Sequence, residues 1–254
     1  MAGGAALEAV TFDYWNTLCC EPPGGYLRGR RLEAMGRVMV DAGVGDAGVV
    51  LASAYDAAWL EYVAGWEANT QYTGRHAARS IADAVHRHMG AGNGNGDGLR
   101  GRLFDAFASA SRVGTAELDL VDGVADALAA LRPMGVSLAI VCDVGFTPSS
   151  ELRRHLDHHG LLGYFDAWAF SDEVGVYKPD KRIFERALDG LGSPDPSRCA
   201  HVGDRRRTDI AGAQAIGMRA VRLTAVFEDD PDQGPAGDAV ISSYDDLLDA
   251  LDLA

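Results

Sequence analysis

Apolar and polar positions alternate only briefly at the start of the chain. Val10 and Phe12 flank Thr11, and the polar run Asp13, Tyr14, Trp15, Asn16 and Thr17 follows, which predicts a short strand over Ala9–Asp13. From Pro22 to about Ser111 the apolar spacing becomes helical, with Trp59, Tyr62, Val63 and Trp66 on one face. From Val121 onward helix and strand patterns alternate. Helices are expected at Val124–Leu131, Pro148–His159, Asp180–Leu191 and Asp209–Ile216, with a last one from Tyr244. Strands are expected at Val136–Val141, Ala167–Phe170, Ala200–Val202, Ala220–Leu223 and Ala239–Ile241. Strands separated by helices imply a doubly wound parallel α/β sheet covered on both faces. If the first strand joins that sheet, residues 1–20 and 118–254 form an α/β core domain, and residues 21–117 form an all-helical domain inserted into it. Ligands of such sheets bind beyond the C-terminal ends of the strands.

Composition narrows the class. The 254 residues are 47% hydrophobic and 24% charged, as in soluble globular proteins, which excludes collagen-like, coiled-coil and disordered chains. Acidic residues outnumber basic ones 37 to 23, a formal charge of −14, and that field repels polyanions, so nucleic acid is not expected as a partner. No window approaches the roughly 18 consecutive apolar residues of a membrane span. The first ten residues lack the basic start and long apolar stretch of a secretory signal, and a cytoplasmic location is expected. Cys19, Cys20, Cys142 and Cys199 show no CxxC spacing, which points to reduced thiols rather than a zinc site. The glycine-rich run Gly90–Gly98 follows no apolar strand and lacks GxGxxG spacing, so it reads as a flexible loop between helices.

Four polar clusters stand at strand ends or helix starts: Asp13 to Thr17, Cys142 to Gly145, Lys178-Pro179, and Gly203-Asp204 with Asp209. Taken singly each has an ordinary explanation. An Asp at a strand end is often a cap or turn residue, Lys178 a surface charge, and Asp204 or Asp209 a helix cap. Their common order along one sheet is harder to reach by coincidence. That order, with Phe12-Asp13 before Asn16-Thr17-Leu18 and with the run from His201 to Ala213, resembles the haloacid dehalogenase superfamily.

The resemblance implies a Rossmann-like core with a helical cap, and a hydrolase acting on a small phosphorylated metabolite through an aspartyl-phosphate. Asp13 would be the nucleophile, since a carboxylate can split one displacement into two easier steps. Lys178 would stabilise charge in the cleft. Asp13, Asp204, Asp209 and the backbone carbonyl of Trp15 would offer the hard oxygen ligands that Mg²⁺ prefers. Trp15, Asn16, Cys142 and Asp143 would lie against the phosphate, held by backbone N–H groups of these loops.

Two positions depart from the family's phosphatase pattern. Trp15 stands where those enzymes carry a second Asp as general acid and base, and Cys142 replaces the usual Ser or Thr with a weaker hydrogen-bond donor. Thr147 is nearby in sequence but is not expected to compensate. Alternatives therefore stay open: a metal-independent 2-haloacid dehalogenase-like enzyme, or a catalytically weakened binding or regulatory protein. The acidic cluster favours the metal-dependent branch, because carboxylates crowded around Asp13 are costly without a cation. Natural substrate and oligomeric state are not legible. Other conspicuous residues receive plain readings. Arg205, Arg206 and Arg207 read as a solvated turn, His155, His158 and His159 as a solvated helix face, and His201 as structural. Trp59 and Trp66 read as packing residues, and Asp229, Asp230 and Asp232 as a loop rather than a calcium site.

Overall fold

The computed structural model describes residues 6–44, 47–89 and 96–253. Its strands are β1 (Ala9–Phe12), β2 (Cys19–Cys20), β3 (Asp119–Leu120), β4 (Ser137–Cys142), β5 (Ala167–Phe170), β6 (Cys199–Gly203), β7 (Arg219–Leu223) and β8 (Ala239–Ile241). The helices are α1 (Tyr26–Asp41), α2 (Ala47–Glu67), α3 (Gly74–Met89), α4 (Gly96–Thr115), α5 (Val124–Leu131), α6 (Ser149–His158), α7 (Ser171–Val174), α8 (Lys181–Gly190), α9 (Ala211–Ala215) and α10 (Leu247–Ala250). Most of the glycine-rich run expected as a loop lies outside the described residues, and Gly96–Gly98 open α4. Among the described residues no helix is long and apolar enough to cross a membrane.

The chain divides into two compact units. The first comprises the chain through Cys20, Asp119–Asp143 and Leu156 onward; the second comprises Glu21–Leu118 and Val144–His155. In the first unit, six parallel strands run in the order β5-β4-β1-β6-β7-β8. Successive β1 residues Ala9, Val10, Thr11 and Phe12 are all fully buried, so both sheet faces are covered. Such strands need no polar alternation, which explains their near-continuous apolar composition. On one face Ala9, Ala139, Val141, Ala169 and Cys199 pack with Ile183, Phe184 and Ala187 of α8 and with Ile210 and Ala213. Asp180 caps α8 by accepting the Arg182 N–H at 3.0 Å, which starts the helix just after Lys178-Pro179.

β1 connects onward to β4 on one side, whereas β6 connects to β7 on the other. The strand order therefore reverses between the neighbours β1 and β6, the position at which open α/β sheets form a crevice. A hairpin too short to show in the sequence pattern, β2 against β3, pairs Cys20 with Asp119. The chain thus leaves this unit and returns to it on adjacent strands, which is how a hundred-residue insertion leaves the sheet intact.

In the second unit α1 packs on α2 and α4, and α3 packs on α2 and α4. Val144–His155 joins these helices rather than staying with the sheet, and Phe146 supplies the reason. Its buried ring meets Tyr55, Trp59, Tyr62, Tyr72 and Phe107 at centroid distances of 5.3–6.3 Å. Gly74 is required there, because a Cβ would lie 2.1 Å from the Phe146 carbonyl oxygen. Beside this cluster the buried Arg31 donates to Ser111 Oγ, Tyr55 Oη and Thr147 Oγ1.

Several expectations are corrected. The helix anticipated from Asp209 begins as a π turn, Arg206–Ile210, and becomes regular only at Ala211. The last helix is preceded by a 3₁₀ turn over Tyr244–Asp246. The arginine triplet is not a solvated turn. Arg206 is buried, its N–H bonds Asp229 Oδ2 at 2.9 Å, and the Arg205 guanidinium lies 4.7 Å from the Phe227 ring centroid. Nor is the histidine trio wholly exposed: His155 is buried, with Nε2 3.2 Å from the Leu118 carbonyl oxygen.

Candidate active site

The site lies wholly within the first unit, at the C-terminal ends of β1, β4 and β6. The β1–β6 register pairs Phe12 with Val202, and Asp13 N–H donates to the Val202 carbonyl at 2.8 Å, so Asp13 emerges beside Gly203 and Asp204. The loop after β5 and α7 brings in Lys178, whose backbone N–H donates to Asp143 Oδ1 at 3.0 Å. Its Nζ donates to Asp13 Oδ1 at 2.5 Å and to Asp209 Oδ1 at 2.6 Å. Asn16, held at φ +57°, donates through Nδ2 to Asp204 Oδ2 at 3.1 Å.

The π turn carries Asp209 back over the end of β6, where its Oδ2 accepts the Arg205 N–H at 2.9 Å. Only glycine fits at position 203, since a Cβ there would stand 2.4 Å from the Asp209 Cγ. Asp13, remote in sequence from the neighbouring Asp204 and Asp209, thus joins them so that carboxylate oxygens of all three lie within 4.8 Å of one another. Trp15 sits beside them in sequence, its ring edge-on to Tyr14 at 5.1 Å and its backbone bridged to Cys19. Cys142 ends β4 fully buried, and burial, then the Asp13 charge, pushes its thiol pKa up. Thr147 belongs to the other unit, where its hydroxyl already accepts from Arg31.

The electrostatics follow from crowding three carboxylates and one ammonium where water is excluded. Two like charges at 4.8 Å repel by about 3–4 kcal/mol at an effective dielectric of about 20. Burial raises the Asp13 pKa, and Asp209 and Asp204 raise it further against the pull of Lys178. Burial, then Asp209, pushes Asp204 up to about 7. Burial would likewise raise Asp209, but Lys178 and His201 together outweigh it and hold this carboxyl well below the usual range. Burial would lower the Lys178 pKa, yet Asp13 and Asp209 raise it well above the ordinary value. One ammonium cannot balance three anions, so the cluster holds extra protons or a further cation. A buried all-oxygen donor set with more negative than positive charge fits a hard divalent ion.

The sequence marks His201 as structural without showing that it touches the site. His201 is fully buried and lies directly opposite Thr11 in the β1–β6 register. Its Nδ1 is 2.8 Å from Thr11 Oγ1 and its Nε2 is 3.2 Å from Asp209 Oδ1. The signal was there: a polar residue at an interior position of each of two otherwise apolar strands.

A doubly wound α/β sheet with four charged groups gathered at its reversal point is the class of fold and site that hydrolases use. A family model for haloacid dehalogenase-like hydrolases matches residues 7–217, and the chain belongs to this family. It is 36% identical over 152 residues to pyrimidine 5′-nucleotidase YjjG of Escherichia coli, covering 59% of this chain and 64% of that protein, just under two thirds of its length. It is 32% identical over 186 residues to phosphoserine phosphatase of Thermus thermophilus, 72% of this chain and 69% of that one. Among solved structures, 2-haloacid dehalogenase from Pseudomonas syringae pv. Tomato DC3000 shares the fold with a TM-score of 0.67. The identity is 22%, over 97% of this chain and 98% of that one.

Proposed function

We propose that the protein is a Mg²⁺-dependent phosphatase acting on a small phosphorylated metabolite through an aspartyl-phosphate on Asp13. The observation that carries this reading is the convergence of Asp13, Asp204 and Asp209 within 4.8 Å beside Lys178. The names of the two relatives, a nucleotidase and a phosphoserine phosphatase, support phosphate monoesters as the substrate class.

Asp13, Asp204 and Asp209 would hold the Mg²⁺ ion, with the Trp15 carbonyl as a further oxygen. When bound, the ion would screen the nucleophile and the phosphoryl oxygens from each other. Lys178 keeps the Asp13 oxygen aimed and offsets its charge as the oxygen approaches phosphorus. Asp13 forms a bond to phosphorus as the ester P–O bond breaks; the leaving oxygen takes its proton from a water, leaving hydroxide, and a second water then bonds to phosphorus and gives its proton to that hydroxide as the Asp13–phosphorus bond breaks and the carboxylate is freed. Asn16 orients Asp204, and Cys142 and Asp143 shape the loop against the phosphate. The helical unit would serve as the cap that selects substrate and excludes water.

The test is release of p-nitrophenol from p-nitrophenyl phosphate. It should need Mg²⁺ and be abolished by Asp13→Asn. Metal-independent halide release from a 2-haloacid would support the dehalogenase reading instead, and neither activity with retained ligand binding would support a binding protein.

A further inference from the structure

The carboxylate of Asp209 is gripped from three sides, and one grip has no part in the scheme above. Lys178 Nζ and the Arg205 N–H take one oxygen each, and His201 Nε2 approaches Oδ1 at 3.2 Å. Behind His201 stands Thr11, whose hydroxyl meets Nδ1 at 2.8 Å. Thr11 and His201 pair directly across β1 and β6, are both fully buried, and have Phe184 of α8 set edge-on to the imidazole at 5.1 Å.

We propose that Thr11 and His201 are positioning residues: the Thr11 hydroxyl donates to His201 Nδ1, which fixes the imidazole with its proton on Nε2, and that N–H holds Asp209 in its metal-binding place. An ionised carboxylate only accepts hydrogen bonds, so the opposite tautomer would set the Nε2 lone pair against Oδ1. The Thr11 hydroxyl has one proton and two acceptors in reach, the Ala200 carbonyl oxygen at 3.4 Å and His201 Nδ1 at 2.8 Å, and the shorter contact takes it. The device explains why a strand core otherwise filled by Ala, Val and Phe carries these two polar residues. It rests on the functional reading above, because the group being positioned is a proposed metal ligand.

The experiment uses the full chain and Mg²⁺ alone as ligand. Partners one step removed from a metal typically contribute 10- to 100-fold in affinity or activity. Calorimetric titration should therefore show Mg²⁺ binding weakened about tenfold or more in His201→Phe and Thr11→Val. Affinity should stay within about threefold of wild type in His201→Gln and Thr11→Ser, which keep a donor at the needed place. Independently, imidazole nitrogen NMR of the wild-type protein should find His201 protonated at Nε2 and bare at Nδ1, and Thr11→Val should lose that single-tautomer signature. Wild-type Mg²⁺ affinity in a folded His201→Phe protein would overturn the inference alone, as would a proton on Nδ1 in the wild type. That NMR reading needs no variant to fold. Absence of Mg²⁺ binding by the wild type would overturn the functional reading instead, and with it the metal half of this one.

Discussion

Lys178 shows how much a single side chain can be asked to hold. It is 3% exposed and touches Asp13 and Asp209 together. Removing one partner of a buried ion pair strands the other charge, at a cost of about 3–5 kcal/mol. Lys178→Met should therefore lower stability by that order in urea unfolding. Adding Asp209→Asn should recover part of the loss, since it removes one of the stranded anions. A Lys178→Met protein as stable as wild type would mean that the bridge carries no net weight. Trp15 bears on rate rather than stability, because its indole has no proton of suitable acidity to give a leaving alkoxide. Turnover should rise steeply with leaving-group acidity, p-nitrophenyl phosphate far exceeding simple alkyl phosphates. Trp15→Asp should narrow that gap by about 100-fold or more, as measured by kcat on the two ester types. Most of these residues could be picked out in the sequence because polar groups at strand ends interrupt apolar runs. His201 reads only as structural in the sequence because a lone polar residue inside a strand does not reveal its partner.

At the scale of elements, the π turn Arg206–Ile210 is the piece with the tightest tolerance. It bends Asp209 back onto β6 so closely that Gly203 has no room for a side chain. Gly203→Ala places a methyl 2.4 Å from the Asp209 Cγ, so the turn must shift. Overpacking of this kind typically costs about 1–3 kcal/mol. The expected outcome is that loss in unfolding stability together with weakened Mg²⁺ binding, whereas Gly163→Ala, which meets nothing within 4 Å, should leave both unchanged. Helical spacing after Asp209 was readable from Ile210 and Ala213, but a π turn differs from an α turn by one residue's hydrogen bond, which side-chain periodicity does not encode. The β2–β3 hairpin escaped for a related reason: two-residue strands are too short to show a period.

Across the whole molecule, burial decides which groups solvent can reach. Cys19, Cys142 and Cys199 are buried and Cys20 is half-buried, all as free thiols. Burial, then Glu8, pushes the Cys199 pKa up to about 11, leaving roughly one part in a thousand as thiolate at pH 8. A thiol-reactive dye at pH 8 should thus label Cys20 slowly and the other three only after unfolding, when all four respond; rapid labelling of three or more in the native state would contradict the packing. By itself the sequence determined the α/β rhythm, the helical insertion and the identity of the charged groups, because periodicity and residue chemistry are local properties. The tertiary structure decided that Asp13, Lys178, Asp204 and Asp209 share one buried place, that Phe146 draws its loop among the helices, and that His201 links Thr11 to Asp209. Those are contacts between residues up to 190 positions apart, fixed by strand order and register, which no short window of residues contains.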